Sequence, residues 1–236
     1  MAFIRKYALP LTLITGLLLF FATGTHKLVS WETISTNYGV LKQFSNDRIL
    51  TSYTLFLLLY VIVVAFSLPV ALPLTLTGGA LLGWPAGMVI IFAATMGAGI
   101  VFLAARTIFS DFLRGKAGPF MARLEAGFNK NAFSYLLALR LIPVAPFWVV
   151  NIIPSLTKMK LSSFLLATFI GIMPGTMVFV SVGRGFDTIL ASGQTPDLSV
   201  LSSPSILIAL GGLGALALMP VIYKWITRNR NLSETE

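Results

Sequence analysis

Long apolar runs separated by short polar stretches dominate the chain. Runs at 7–21, 51–67, 88–105, 161–183 and 205–226 approach or reach the roughly 20 residues that cross a bilayer core, and each predicts a spanning helix. The first also reads as a signal peptide with Ala22, Thr23 and Gly24 as its cleavage site. A retained helix is favoured, because the segment after it does not begin like a mature soluble protein. Between the first two runs, Trp31, Ile34, Tyr38 and Leu41 recur at spacings of three and four among polar residues. That pattern predicts a short helix at the membrane interface, with a solvated loop as the alternative at this length.

Two further apolar blocks are crowded with helix breakers. Residues 132–156 contain Arg140, Pro143, Pro146 and Pro154, and residues 68–87 contain Pro69, Pro73, Gly78, Gly79, Gly83, Pro85 and Gly87. Proline removes an amide donor and clashes with the preceding turn, so a straight helix here would leave carbonyls unpaired in hydrocarbon. Both blocks are therefore predicted as re-entrant helical hairpins, turning at Pro143 and Pro146 in one and around Pro69, Pro73, Gly78 and Gly79 in the other. Broken backbone at that depth is tolerated where protein covers it or where it lines a wet cavity, so a polar cleft is expected. Gly97 and Gly99 let a neighbouring helix approach closely; Gly171, Pro174 and Gly175 are also assigned to packing, with Pro174 and Gly175 interrupting their span.

Arg140 stands out by its isolation. No Asp or Glu lies between Asp47 and Asp111, nor between Glu125 and Asp187, so neither apolar block holds a counter-ion. An arginine at bilayer depth is costly and marks a functional site. Its partner is either the free carbonyls at the end of its own half-helix or a lipid phosphate, which suits the forked donors of a guanidinium.

Composition narrows the class. With 236 residues, 56% hydrophobic, 11% charged and a mean hydropathy of +0.88, this is an all-α integral membrane protein, expected as a small helical bundle holding two inverted hairpins. No cysteine is present and His26 is the single histidine, which removes disulfides, thiolate chemistry and His clusters. No metal or cofactor is expected. An enzyme is disfavoured too, since no acid pair and no nucleophile beside a base is found. The net charge of +9 is spread over helix ends and carries no nucleic-acid motif, so it reports orientation and contact with anionic lipid. Basic residues in 106–130, at Lys158 and Lys160, and from Lys224 onward place the internal loop and the C-terminus in the cytoplasm. Arg5 and Lys6 ask for the same side, but a first span and a re-entrant segment 68–87 would put loop 106–130 outside, so one of these assignments fails.

The two broken blocks also read as a repeat. Prolines at 69 and 73 precede a helix ending GAGIVFLAAR at Arg106, and prolines at 143 and 146 precede one ending PGTMVFVSVGR at Arg184. Transporters built from inverted repeats place broken helices face to face near the midplane, where the substrate site forms. The chain accordingly divides into an N-terminal span and interfacial segment (1–51), a membrane domain (52–185), and a loop with a C-terminal span (186–236).

From about Ser67 to Gly185 the chain resembles the DedA or VTT-domain family, also called the SNARE-associated Golgi protein family, and within it the Tvp-type branch. The resemblance rests on RLIPVAPF from Arg140 with Asn151 following, on GIMPGT from Gly171 to Thr176, and on the closing Gly183 and Arg184. It implies an inverted pair of re-entrant loops and movement of phospholipid or polyprenyl phosphate between leaflets, in support of membrane homeostasis. Members proposed to use a proton gradient carry acidic residues in the first re-entrant segment and a second arginine three residues past the proline of their Arg-x-x-Pro motif. Here that segment offers Thr75 and Thr77, and Pro146 stands where the second arginine would be. Passive movement is therefore expected.

The expected function is a lipid scramblase or flippase-like protein that binds lipid phosphate or headgroup through Arg140, Asn151, Thr176, Arg184 and Arg106. The alternatives are a non-transporting membrane scaffold or assembly factor and a proton-coupled small-molecule transporter. Expected partners are anionic or phosphate-bearing membrane lipids and a second copy of the chain, not nucleic acid. The expected location is a bacterial cytoplasmic (inner) membrane.

Overall fold

The computed structural model describes residues 2–24, 30–116, 132–141 and 147–194, with single positions at 196, 197, 199, 204 and 208. Among the described residues every regular element is helical, and two helices are long and apolar enough to cross a membrane, Pro85–Thr107 and Leu161–Ala191. The chain is an all-α membrane protein. Pro143 and Pro146, residues 117–131 of the basic internal loop, and the run 205–226 apart from its residue 208 lie outside the described residues.

Helix α1 covers Ala2–Ala22 and α2 covers Trp31–Asp47. Helix α2 starts because Ser30 is a good cap: the Thr33 amide donates to Ser30 Oγ at 3.2 Å, and Glu32 sits in the first turn against the positive helix end. Its apolar stripe folds down through Ile34 and Tyr38, which are buried against the helix Ala71–Leu82 and the end of the helix Leu161–Gly185, so the stretch is a helix and not a solvated loop. At Arg48 the chain bends by 119° into α3 (Ile49–Ala65).

Helix α3 turns back at once. The Leu68 amide reaches Val63 O and the Ser67 amide reaches Val64 O, the paired bonds of a Schellman ending, with Ser67 at φ 53 where glycine is usual. Helix α4 (Ala71–Leu82) then runs antiparallel to α3: Tyr53 Oη donates to Leu82 O at 2.9 Å, Phe56 packs on Gly78, and Tyr60 Oη meets Thr75 Oγ1 at 2.8 Å. With 12 residues α4 is only about 18 Å long, well short of a bilayer core. Pro73 is tolerated at its third position, where amides have no intrahelical partner. The chain reverses again at Gly83, whose φ of 71 and ψ of −155 fall where side chains are excluded.

Helix α5 (Pro85–Lys116) is the organising element, packing against α1, α3, α4, α7 and α8. Pro85 opens it at the first helical position. Next come α6 (Ala132–Leu141), α7 (Phe147–Ser155), α8 (Leu161–Gly185) and the short α9 (Asp187–Ala191). Helices α5 and α8 lie antiparallel: Phe102 stacks on Phe164 with centroids 4.4 Å apart, Phe92 meets Phe169 at 5.0 Å, and Gly87 faces Met177.

Several expectations need correcting. Pro73, Gly78 and Gly79 are not turn residues: Pro73 lies in the first turn of α4, and both glycines are buried inside the helix, where Gly78 receives the Phe56 ring and Gly79 lies on the Val180 carbonyl. The turns fall instead at 66–70 and at Gly83, because a glycine pressed against another helix does more for packing than for chain reversal. Gly97 packs on Val64, Gly99 on Leu165 and Gly171 on Arg140, but a Cβ at Gly175 would meet nothing within 4 Å. Pro174 and Gly175 do not interrupt α8, since losing one hydrogen bond costs less than ending a helix within hydrocarbon. The helix expected over 88–105 continues to Lys116, and the stretch from 186, expected to begin as loop, begins with α9.

Candidate functional site

Arg140 is the next-to-last residue of α6 and points its side chain inward. Its Nη2 donates to Asn151 Oδ1 at 2.5 Å and to Thr168 Oγ1 at 3.1 Å, and the guanidinium stands 5.6 Å from the centre of the Phe164 ring. Asn151 and Thr168 are both 0% exposed, so the head of Arg140 is seated in the protein rather than in lipid. The stem passes over Gly171, whose missing side chain makes the room.

Beside this arginine is a cavity of about 380 Å³. Its wall is drawn from five helices: Tyr60 and Val64 of α3, Ala71 and Thr75 of α4, Ala94 of α5, Arg140 and Leu141 of α6, and the stretch of α8 from Gly171 to Phe179 that includes Pro174, Gly175 and Thr176. Most of the lining is apolar. Polar atoms enter at Arg140, at Thr176 and at the Tyr60–Thr75 pair. Thr75 Oγ1 already donates its proton to Ala71 O at 2.8 Å, so Tyr60 must be the donor in that pair. No acidic residue contributes to the wall among the described residues.

The expected headgroup ligands thus separate into different roles. Arg140 and Thr176 reach the cavity. Asn151 does not; it is buried behind Arg140 and holds its guanidinium, with Nδ2 finding no acceptor among the described residues. Arg106 is also turned away: its Nε donates to Ser155 O at 3.2 Å and its Nη2 to Thr157 O at 3.0 Å and Met159 O at 2.6 Å, with the guanidinium 4.3 Å over the Phe102 ring. Those carbonyls end α7 and the turn beyond it, so Arg106 closes a helix C-terminus that would otherwise be unpaired. Arg184 lies far along α8, exposed, 5.2 Å over the Trp84 ring.

Thr168 and Tyr60 went unassigned at the sequence level. The signal for Thr168 is its place on one face of α8 with Gly171 and Gly175, at spacings of three and four within an apolar run. A second missed cluster joins α2 to the end of α4. Tyr38 Oη donates to Asp187 Oδ1 at 2.6 Å and lies 3.1 Å from Ala80 O; Lys42 Nζ donates to Asp187 Oδ2 at 3.0 Å and to Ala80 O at 2.9 Å. Burial, and after it the Asp187 carboxylate, push the Tyr38 phenol up, so it stays a donor. The participating residues are 145 and 149 positions apart in sequence from Asp187, and only folding brings them together.

Length sets the depth of these features. The span Pro85–Thr107 is 23 residues, about 34 Å, so Trp84 with Arg184 marks one membrane interface and Arg106 the other. Ala94 and Gly171, which line the cavity, are close to the middle of their helices, so Arg140 is near mid-depth.

A helical membrane protein with a buried arginine beside a mid-depth cavity, walled by both halves of the chain, is the class that fold and site define. The chain belongs to the VTT-domain family, whose domain matches residues 68–185. It is 34% identical over 165 residues to the uncharacterized protein YqeD of Bacillus subtilis, covering 69% of this chain and 70% of that one. To a Transmembrane protein 41 homolog of Dictyostelium discoideum it is 29% identical over 188 residues, 78% of this chain and 54% of the relative, so it spans about half of that protein. A Transmembrane protein 41 homolog of Caenorhabditis elegans is 24% identical over 172 residues, covering 71% and 68%. These relatives agree with the DedA and VTT grouping and do not single out the Tvp-type branch. No solved structure matches the chain.

Proposed function

We propose that this protein moves phosphate-bearing lipid headgroups, of phospholipid or polyprenyl phosphate, passively between leaflets. The observation that carries the reading is Arg140: a guanidinium near mid-depth, beside a cavity walled by α3, α4, α5, α6 and α8, where a headgroup in transit would need a cation and its tails would need apolar walls. The lack of a carboxylate in the described lining favours movement without proton coupling, because arginine does not change protonation in a working cycle. No chemical step is involved, so the protein is taken not to be an enzyme.

The test is lipid movement in proteoliposomes. Wild-type protein should move a labelled phospholipid in both directions, unaffected by an uncoupler. Arg140→Ala should lose at least about tenfold in rate while still inserting, and Arg140→Lys should keep part, since lysine holds the charge without the planar fork. Equal rates for wild type and Arg140→Ala would reject the reading. A second reading, a non-transporting scaffold, is favoured by the bonds Arg140 makes to Asn151 and Thr168, which suit a purely structural arginine. Failure of Arg140→Ala to insert would point there.

The α3–α4 hairpin supports one orientation. If α3 and α4 enter and leave from one face, α3 does not span, and the conflict between Arg5 with Lys6 and the loop after Arg106 disappears. Every basic residue except Lys27, Lys42, Arg48, Arg184 and the mid-depth Arg140 then falls on the cytoplasmic side, with the expected last span bringing the C-terminus there as well. The same arrangement makes α3–α4 and α6–α7 two re-entrant hairpins from opposite faces. A bacterial cytoplasmic membrane is favoured by the likeness to the Bacillus subtilis protein.

A further inference from the structure

The antiparallel helices α5 and α8 each carry an arginine at the end of their apolar run, beside the C-terminus of a short helix from the other half, and the two arginines are used differently. Arg106, ending the spanning part of α5, gives three hydrogen bonds to the carbonyls that close α7 and the turn after it. Arg184, near the end of α8, lies beside the C-terminus of α4, but three of the four carbonyls there are already taken. Gly79 O accepts from the Gly83 amide, Ala80 O from Lys42 and Leu82 O from Tyr53, while Ser45 Oγ, whose proton goes to Lys42 O at 2.8 Å, stands 3.4 Å from Leu81 O. Capping by α2 and α3 spares Arg184 the work that Arg106 does. Its guanidinium makes no hydrogen bond or ion pair among the described residues and rests on the Trp84 ring, with its donors beside a polar cleft of about 340 Å³. This cleft is separate from the Arg140 cavity and shares no residue with it.

Charge decides what the cleft would hold. Arg184, Lys42 and Asp187 line it, and the Asp187 carboxylate is engaged at both oxygens, by Tyr38 and by Lys42. The balance is one uncompensated positive charge carried by a fork of donors, and Lys42 keeps a third N–H after serving Ala80 O and Asp187. A planar guanidinium matched to a tetrahedral oxyanion, with an ammonium beside it, is phosphate chemistry. Tryptophan at a membrane interface sits at headgroup level, and Trp84 puts the cleft there. We propose that this cleft binds a phosphate group at the membrane surface, with Arg184 as the principal contact and Lys42 as the second. The site stands whether or not lipid is moved through the Arg140 cavity.

The source of the phosphate is a lipid headgroup or a soluble phosphate, and one experiment separates them. The full chain, in a maltoside detergent that carries no phosphate, is titrated calorimetrically with short-chain phosphatidylglycerol and separately with inorganic phosphate. The titrations are repeated in Arg140→Ala, so that binding at the mid-depth arginine does not contribute. Saturable binding that persists in Arg140→Ala, weakens at least about tenfold in Arg184→Gln and partly returns in Arg184→Lys supports the site. Saturation by phosphatidylglycerol alone assigns a lipid headgroup, and saturation by inorganic phosphate alone or equally well assigns a soluble ligand. Arg184 is exposed, and an unchanged melting temperature for Arg184→Gln checks that only the contact is lost. Affinity in Arg184→Gln equal to wild type, or no saturable binding of either ligand to Arg140→Ala, overturns the proposal. Loss of lipid movement in Arg140→Ala with phosphate binding intact would uphold both readings independently.

Discussion

Gly171 decides where Arg140 lies. A Cβ at 171 would stand 2.5 Å from Arg140 Cβ and 3.2 Å from its Cγ, so the arginine stem would have to leave its groove on α8. Gly171→Ala is therefore expected to cost about 1–3 kcal/mol of stability from overpacking and to lower lipid movement severalfold by pulling the guanidinium from Asn151 and Thr168. Gly175→Ala is the matched control: its Cβ would meet nothing within 4 Å, and stability should hold. Thermal unfolding in detergent and the proteoliposome rate, measured on both variants, check the pair. A Gly171→Ala protein as stable and active as wild type would mean that Arg140 does not depend on this seat. Arg140 itself was legible in the sequence because a lone cation in an apolar block is costly. Its partner Thr168 was not, because a threonine in an apolar helix is common and bonding its own backbone is the cheaper default, as Thr75, Thr77 and Thr95 do.

At the scale of elements, prolines and glycines located the breaks to within a few residues but did not say which arm pairs with which. The breakers of 68–87 point to a hairpin within that block alone, yet α3 is itself the first arm, fastened to α4 through Tyr53, Phe56 and Tyr60. Those residues are separated by three and four positions, which identifies a shared face and says nothing of what covers it. The second reversal, at Gly83, depends on a backbone region that only glycine enters freely. Gly83→Ala should destabilise the protein by about 1–3 kcal/mol and loosen the start of α5. Ser67→Gly should act oppositely, adding about 0.5–1 kcal/mol, since Ser67 pays for φ 53 at the preceding turn. Melting temperatures that move in the same direction for both would contradict these assignments.

For the molecule as a whole, the decisive prediction is topology. With α3 and α4 as a hairpin, single cysteines placed at Asn37 on α2 and at Thr188 on α9 should react with an impermeant thiol reagent from one side, and cysteines at Lys158 and Ser233 from the other. Labelling of positions 37 and 158 from the same side would restore α3 as a span. No cysteine has to be removed first. The membrane class, the all-helical build, the absence of thiol or His-cluster chemistry and the isolation of Arg140 were determined by sequence alone, because each follows from composition or from the transfer cost of a single residue. Tertiary structure alone decided which arginine is consumed and which is spared. Arg106 and Arg184 end similar apolar runs and look equivalent in the chain, but a guanidinium goes where unpaired carbonyls remain. How many remain at the end of α4 depends on Lys42 and Tyr53, brought there by the bend between α2 and α3 and by the hairpin of α3 with α4, and those long-range pairings leave no local mark in the sequence.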